Sequence, residues 1–151
     1  MAISISICGS MSFMDEMEAI ASSLAALGCE AMTPVREERN FDWSNLADAD
    51  LVALKKGFID RHLAKIRRSD AVLIANFPKH NIGGYVGPNT LMEAAFAHAL
   101  SVPVIFLYDP SRQACGLECV SISCGCVNGD ATEALPLLRE IRPGGSSLMA
   151  H

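Results

Sequence analysis

The fold is decided by residues 70–93, which read DAVLIANFPKHNIGGYVGPNTLME. Asp70 is followed by five apolar residues, and residues 70–75 together have the length of a buried strand. A glycine-rich loop follows, and residues 90–100 then have the pattern of a helix rich in alanine. Open α/β sheets bind ligands at the carboxyl ends of their strands. The loop, and Glu93 on the opening turn of the helix, are therefore predicted to form a binding site.

Strand-like and helix-like segments alternate along the chain, which is typical of a parallel sheet with helices on both faces. The predicted strands are residues 2–8, 30–33, 70–75, 102–108 and a weak fifth strand within 118–127. The predicted helices are residues 12–27 with Ser12 as N-cap, 46–68 with a potential break at Gly57, 90–100 and 132–141. Short right-handed connections favour an α/β, single-domain, flavodoxin/Rossmann-like five-stranded sheet in the order 2-1-3-4-5.

The predicted first strand alternates isoleucine with serine, at Ser4 and Ser6. This pattern predicts that one of its faces is less apolar than that of a fully buried central strand.

The predicted strand order brings two loops to one cleft, namely residues 8–11 after the first strand and residues 76–89 after the third. Gly9 and Ser10 are expected to close a turn whose N–H groups, with the Ser10 hydroxyl, meet an anion. An ordinary structural turn is the alternative.

Composition limits the classes of function. The chain has 151 residues, half of them hydrophobic, which suits one domain over residues 1–142 with a flexible tail at 143–151. The net charge of −5 disfavours binding to a nucleic-acid polymer. No apolar run reaches the roughly 18 residues of a membrane span, and residues 1–8 lack the pattern of a signal peptide. We therefore expect a cytoplasmic protein that does not bind a membrane.

Six cysteines in such a chain are expected to be reduced thiols. Cys8 and Cys29 have the pattern of small core residues. The spacing of the other four matches no common zinc ribbon, and these are Cys115, Cys119, Cys124 and Cys126. Structural thiols are the favoured interpretation of these four, and a metal or redox site is the alternative. No metal ligand or cofactor is predicted.

Residues 34–45 are polar and irregular. A solvated surface run around Arg36 is one interpretation. A mobile flap over the site, with Trp43 in it, is the other.

Three ordered motifs resemble those of the nucleoside 2-deoxyribosyltransferase superfamily, which includes 2'-deoxynucleoside 5'-phosphate N-hydrolases. They are Cys8-Gly-Ser10 after the first strand, Ser69-Asp70 opening the third, and the glycine-rich approach to Glu93 followed by AAFAHAL. The resemblance covers roughly residues 3–108. It implies cleavage or transfer of the N-glycosidic bond of a (deoxy)nucleoside or nucleotide, with Glu93 attacking the anomeric carbon. It also implies a homodimer.

A carboxylate suits this chemistry, because it stabilises an oxocarbenium-like state and then traps it as a glycosyl-enzyme. Without the resemblance, Glu93 would be interpreted as a favourable carboxylate at a helix start.

The chain departs from the family pattern at two places. His62 stands eight residues before Asp70, where family members usually carry an aspartate, and Asp60 lies two residues earlier. His62 either supplies a proton or is a surface residue of a helix. The arginine that follows the Gly-Ser pair in the phosphate-hydrolysing branch is replaced by Met11, which leaves recognition of a 5'-phosphate open.

The candidate residues fall into three groups. The candidate catalytic residues are Glu93, His62 and Asp60. The candidate substrate-binding residues are Gly9, Ser10, Asn76, Tyr85, Gly87 and Asn89. Lys79 and His80 are candidates to replace the missing arginine as partners of an anion.

Two other functions remain open. One is a non-catalytic module that binds or senses a nucleotide. The other is a phosphoribohydrolase-like enzyme that releases bases, because Gly83-Gly84-x-x-Gly87 and Thr90-x-x-Glu93 loosely resemble that signature. For the dimer contact, the alanine-rich helix and the methionine face of the first helix are candidates, although both also suit burial against the chain's own sheet.

Overall fold

The structure, a computed structural model, describes residues 2–36 and 42–142. The strands are β1 (Ser4–Cys8), β2 (Glu30–Met32), β3 (Ala71–Ile74), β4 (Val104–Phe106) and β5 (Gly125–Cys126). The helices are α1 (Met14–Ala26), α2 (Asp48–Arg67), α3 (Pro88–Ala99), α4 (Gly116–Ile122) and α5 (Ala134–Ile141). All strand pairs are parallel, in the order β2-β1-β3-β4-β5, which confirms the predicted fold class. The predicted tail lies outside the described residues.

Each face of the sheet has its own apolar core. On one face α1 and α5 pack against Ile5, Ile7 and other strand side chains. On the opposite face α2, α3 and α4 pack against Cys8 and Val72, among others. Because side chains alternate along a strand, Cys8 points to the side of the sheet that carries α2 and α3.

The face of β1 predicted to be less apolar carries Ser4 and Ser6, and all five residues of the strand are buried. Its serines are accommodated by hydrogen bonds. Ser6 Oγ lies 2.7 Å from Ser69 Oγ, which also donates to a backbone carbonyl of α2. The backbone N–H of Ser4 donates to Asp70 at 2.9 Å, so Asp70 fixes the entrance of the strand. Buried polar groups that keep their partners cost little stability.

Several helix boundaries differ from the predictions. A 3₁₀ turn at Met11–Phe13 precedes α1, and Ser10, not Ser12, caps this turn through its side chain. Helix α2 runs through Gly57 without a break. The sequence analysis missed α4, because its seven residues are too few to show a helical period.

All six cysteines lie in the described part of the chain and are free thiols, as predicted. Cys8 and Cys29 belong to the core, as expected. Within residues 2–36 and 42–142, no helix combines the length and apolar character needed to span a membrane.

Candidate active site

A cavity of about 300 Å³ lies where β1 and β3 end. The loop after β1 contributes Gly9 and Ser10 to its wall, and Glu93 reaches it from α3. The prediction that these residues share one cleft is therefore confirmed. The cavity is also lined by five further predicted residues, which are His62, Lys79, Tyr85, Gly87 and Asn89.

Glu93 lies one turn further into its helix than predicted. Helix α3 begins at Pro88 after the N-cap residue Gly87, so Glu93 stands in the second turn. The attraction of a carboxylate to the helix dipole falls off within the first turn. The environment of Glu93 is therefore set mainly by the side chains that surround it.

Two side chains surround Glu93, one from a strand and one from a helix. Cys8, the last residue of β1, places Sγ 3.4 Å from His62 Nε2. His62, on α2, places the same nitrogen 3.8 Å from Glu93 Oε2. The Cys8 thiol also hydrogen-bonds to Glu93. The thiol, the imidazole and the carboxylate thus form one buried cluster at the base of the cavity.

Burial determines the protonation states in this cluster. Burial, followed by the positive charge of Lys65, lowers the pKa of His62 to about 4. At neutral pH the imidazole is therefore uncharged, and its contact with Glu93 is not an ion pair. Burial also raises the pKa of the Cys8 thiol, and the negative charge of Glu93 raises it further. Cys8 is consequently a protonated thiol that can donate to the carboxylate.

The wall of the cavity around Ser10 is cationic. Lys79 Nζ donates to Ser10 Oγ at 2.9 Å and lies 6.0 Å from the centre of the Tyr85 ring. Lys55 also lines the cavity. His80 does not, and its ring packs against Tyr85 at 5.2 Å. This part of the cavity can accept an anionic group of a ligand.

Two predicted site residues do not line the cavity. Asp60 is exposed and pairs with Lys56. Its position follows from helix geometry, since two residues correspond to about 200° of rotation, and His62 faces inward. Asn76 is buried, and its amide bonds to the backbone of Tyr108 at 2.7 and 2.9 Å and of Gly84 at 3.2 Å. Asn76 thus ties the glycine-rich loop to the chain after β4, which is a structural role.

Sequence reasoning also missed residues of the site. Cys8 was interpreted only as a core residue, although it continues the buried face of Ser4 and Ser6. Helix α2 contributes Lys55, Phe58 and Ile59 in addition to His62. Their spacing of three, four and seven residues from His62 is that of one helical face, so the pattern could have identified them once His62 was placed inward.

A larger apolar depression of about 870 Å³ adjoins the cavity. Trp43, Leu51 and Val52 line it, and it shares Met11, Lys55 and Ile59 with the cavity. The Trp43 ring packs against Phe58, with 6.0 Å between the ring centres. None of the described side chains that line it is a carboxylate, thiol or imidazole, whereas the smaller cavity is lined by His62 and Glu93. Residues 37–41, which belong to the segment interpreted as a surface run or a flap, lie outside the described residues.

Comparisons with known proteins identify the fold. No protein-family model matches the sequence, and no curated protein matches it. A 2-deoxyribosyltransferase from the psychrotolerant bacterium Bacillus psychrosaccharolyticus matches the structure with a TM-score of 0.61 at 15% identity, over 87% of this chain and 89% of that one. A conserved protein from Enterococcus faecalis V583 matches with a TM-score of 0.47 at 16% identity, over 93% of this chain and 88% of the other. The chain thus has the fold of a 2-deoxyribosyltransferase, in agreement with the family resemblance of its motifs.

Proposed function

We propose that the protein cleaves or transfers the N-glycosidic bond of a (deoxy)nucleoside or nucleotide, with Glu93 as the nucleophile. The observation that carries this proposal is the position of Glu93, whose side chain shares one cavity with the turn at Ser10. The cavity lies at the carboxyl edge of a parallel sheet, where folds of this class bind ligands. The fold shared with a 2-deoxyribosyltransferase adds support.

In the proposed reaction, a Glu93 oxygen attacks the anomeric carbon as the bond to the base breaks. The base leaves with the bonding electron pair and takes up a proton. The oxocarbenium-like state collapses to a glycosyl ester of Glu93, which water or a second base then attacks. Water gives hydrolysis, and a base gives transfer.

His62 stands at the position of the family's aspartate and takes a different part in this scheme. Its imidazole is neutral at neutral pH, because burial lowers its pKa to about 4. It therefore acts as a hydrogen-bonding group and not as a cation. It lies beside Glu93, at 3.8 Å, where it can orient the nucleophile and contact the departing base.

The remaining lining residues would hold the sugar. Tyr85 and Asn89 offer polar groups to its hydroxyls, and Gly87 lets the chain approach it closely. Ser10 and Lys79 would bind the 5' group of the sugar, and Lys79 would replace the missing arginine.

A substrate screen tests the proposal. The protein is incubated with deoxyribo- and ribonucleosides and their 5'-monophosphates, with and without an acceptor base, and the free bases are separated by chromatography. We expect base release or base exchange from at least one deoxyribose substrate. Bound nucleotide without any base release on prolonged incubation would instead favour the non-catalytic module. Release from ribose 5'-monophosphates alone would favour the phosphoribohydrolase-like enzyme.

Lys79→Met is expected to impair 5'-monophosphates selectively. A hydrogen bond to a charged group contributes about 1.5–3 kcal/mol, so KM for these substrates should rise at least about 10-fold. KM for the nucleosides should change little. The control is Lys56→Met, because Lys56 is exposed and pairs with Asp60 outside the cavity. Equal changes in KM for both substrate classes would show that Lys79 does not bind the phosphate.

A homodimer is part of the proposal, and the alanine-rich helix α3 remains a candidate for its contact. Ala94, Ala97, Met14 and Met17 are buried in the chain's own core. Exposed apolar side chains lie on α3 and α4 and include Met92, Leu117 and Val120. Exposed apolar patches often mark a surface that contacts another protein, here a second copy of the chain.

Light scattering across a dilution series measures the assembly. We expect a mass of about twice the 16.1 kDa of the single chain, and a monomer for Leu117→Asp. Leu27→Asp, at an exposed leucine beyond the end of α1, is the control and should leave the dimer intact. A stable single-chain mass for the wild type at micromolar concentration would rule the dimer out.

A further inference from the structure

Three potential metal ligands meet at the base of the cavity. Cys8 Sγ, a ring nitrogen of His62 and a carboxylate oxygen of Glu93 all lie within 4.8 Å of one another. They come from β1, α2 and α3, so the fold itself brings them together. One thiolate, one imidazole and one carboxylate form a donor set that suits zinc, whose catalytic sites have three protein ligands.

The separations of the donor atoms suit a single tetrahedral ion. With bonds of about 2.3 Å to sulfur and about 2.0–2.2 Å to nitrogen and oxygen, tetrahedral angles place the ligand atoms roughly 3.3–3.6 Å apart. The distance from Cys8 Sγ to His62 Nε2 is 3.4 Å, and that from His62 Nε2 to Glu93 Oε2 is 3.8 Å. These two distances lie within a few tenths of an ångström of the tetrahedral values, and the Cys8 sulfur lies within 4.8 Å of a Glu93 oxygen.

Charge balance also favours a divalent cation. The ion would displace the proton of Cys8, giving a zinc–thiolate bond and one released proton. The thiolate and the carboxylate together then neutralise the charge of the ion. This neutralisation offsets the cost of burying a cation among the three ligands.

The fourth coordination position would face the cavity. His62 and Glu93 line the cavity, whereas Cys8 is fully buried behind them. An ion among the three therefore has protein on one side and the cavity on the other. This is the arrangement of sites that keep one position for water or for a ligand.

We propose that Cys8, His62 and Glu93 bind a Zn²⁺ ion at the base of the cavity, with one coordination position open. A consequence rests on the proposed function. Zinc occupies one Glu93 oxygen and withdraws charge from the carboxylate, which makes it a poor nucleophile, so the bound ion holds the enzyme inactive and its removal restores the nucleophile.

Cobalt, used as a spectroscopic substitute for zinc, tests the binding site directly. Reduced protein is freed of metal with a chelator, separated from the chelator and titrated with Co²⁺. We expect one equivalent to bind, with the intense visible bands of a tetrahedral ion and a thiolate-to-cobalt charge-transfer band. One equivalent of Zn²⁺ should abolish both spectra.

Variants identify the ligands. Cys8→Ser should abolish the charge-transfer band, and Glu93→Gln should weaken Co²⁺ binding at least about 10-fold, as loss of even an outer-shell partner can. Circular dichroism checks that each variant folds. If Cys8→Ser does not fold, Glu93→Gln still tests the site. Cys115→Ser is the control, because Cys115 and Cys119 form a separate thiol pair with 3.8 Å between their sulfur atoms.

Two outcomes would overturn the inference. One is the absence of a tetrahedral cobalt spectrum at a stoichiometric concentration. The other is a charge-transfer band that persists in Cys8→Ser and disappears in Cys115→Ser. The titration needs no substrate, so its result is independent of the proposed activity. If base release is found, one equivalent of Zn²⁺ should suppress it and a chelator should restore it; base release unaffected by bound zinc would contradict the inhibitory consequence.

Discussion

Glu93→Gln is expected to lower the rate of base release at least about 10²-fold and to leave the fold intact. The amide keeps the size and shape of the carboxylate but is a poor nucleophile and carries no charge to stabilise the oxocarbenium-like state. The rate is measured by chromatography of the free base, on the substrate that the screen finds. Circular dichroism and thermal unfolding monitor the fold.

Asp60→Asn provides the control for this experiment. Asp60 is also a carboxylate and lies close to His62 in the sequence, but it is exposed and pairs with Lys56 outside the cavity. Its loss should change the rate little. If Glu93→Gln released base at nearly the rate of the wild type, the covalent mechanism would be eliminated and Glu93 would be a structural residue of α3.

Gly84→Ala is expected to destabilise the protein by at least about 2 kcal/mol, because a left-handed backbone and a steric clash both oppose it. Gly84 has φ +67°, and an added Cβ would lie 2.2 Å from the backbone oxygen of Asp109. The clash is with backbone, so it cannot be relieved by rotating a side chain. Urea unfolding measures the change in the free energy of unfolding.

The adjacent Gly83 offers a matched control. An added Cβ at Gly83 meets no atom within 4 Å, so Gly83→Ala should change stability by less than about 0.5 kcal/mol. Equal effects of the two substitutions would show that the loop lacks this close approach.

Gly84 also connects stability to the site. Its carbonyl accepts hydrogen bonds from Asn76 at 3.2 Å and from Gln113 at 2.6 Å. These bonds hold the loop from which Tyr85 and Gly87 line the cavity. Gly84→Ala should therefore also lower activity, even at temperatures where the variant remains folded.

The strand order could be predicted because each of its determinants is local. Apolar runs of strand length alternate with helical segments, and the right-handed connection rule leaves few ways to arrange them. The shared cleft of Gly9, Ser10 and Glu93 followed from that order, since both loops come after neighbouring strands.

The fate of the β1 serines could not be predicted from the alternation of residues alone. Ser4 and Ser6 are polar, but Ser6 finds its hydrogen-bond partner in Ser69, which is 63 positions away. A pairing over such a distance leaves no periodic signal. The role of Cys8 was missed because a single cysteine at the end of a buried strand has the pattern of a small core residue, and its partners His62 and Glu93 lie far away in the sequence.

The inward position of His62 could not be predicted without knowing how α2 packs. Asp60 and His62 were both candidates, and their sequence contexts are similar. Only the docking of α2 onto the sheet face of Cys8 decides which of the two turns inward. The helix start at Pro88, which moves Glu93 into the second turn, depended in the same way on a boundary that sequence patterns locate only approximately.

The most direct test of Glu93 as the nucleophile is a rapid-quench experiment with the protein in excess over its substrate, followed by mass measurement of its peptides. We expect the peptide that contains Glu93 to gain the mass of one glycosyl group while base is released, and to lose it as water or an acceptor base reacts. Release of the base with that peptide unmodified at every quench time would contradict the account.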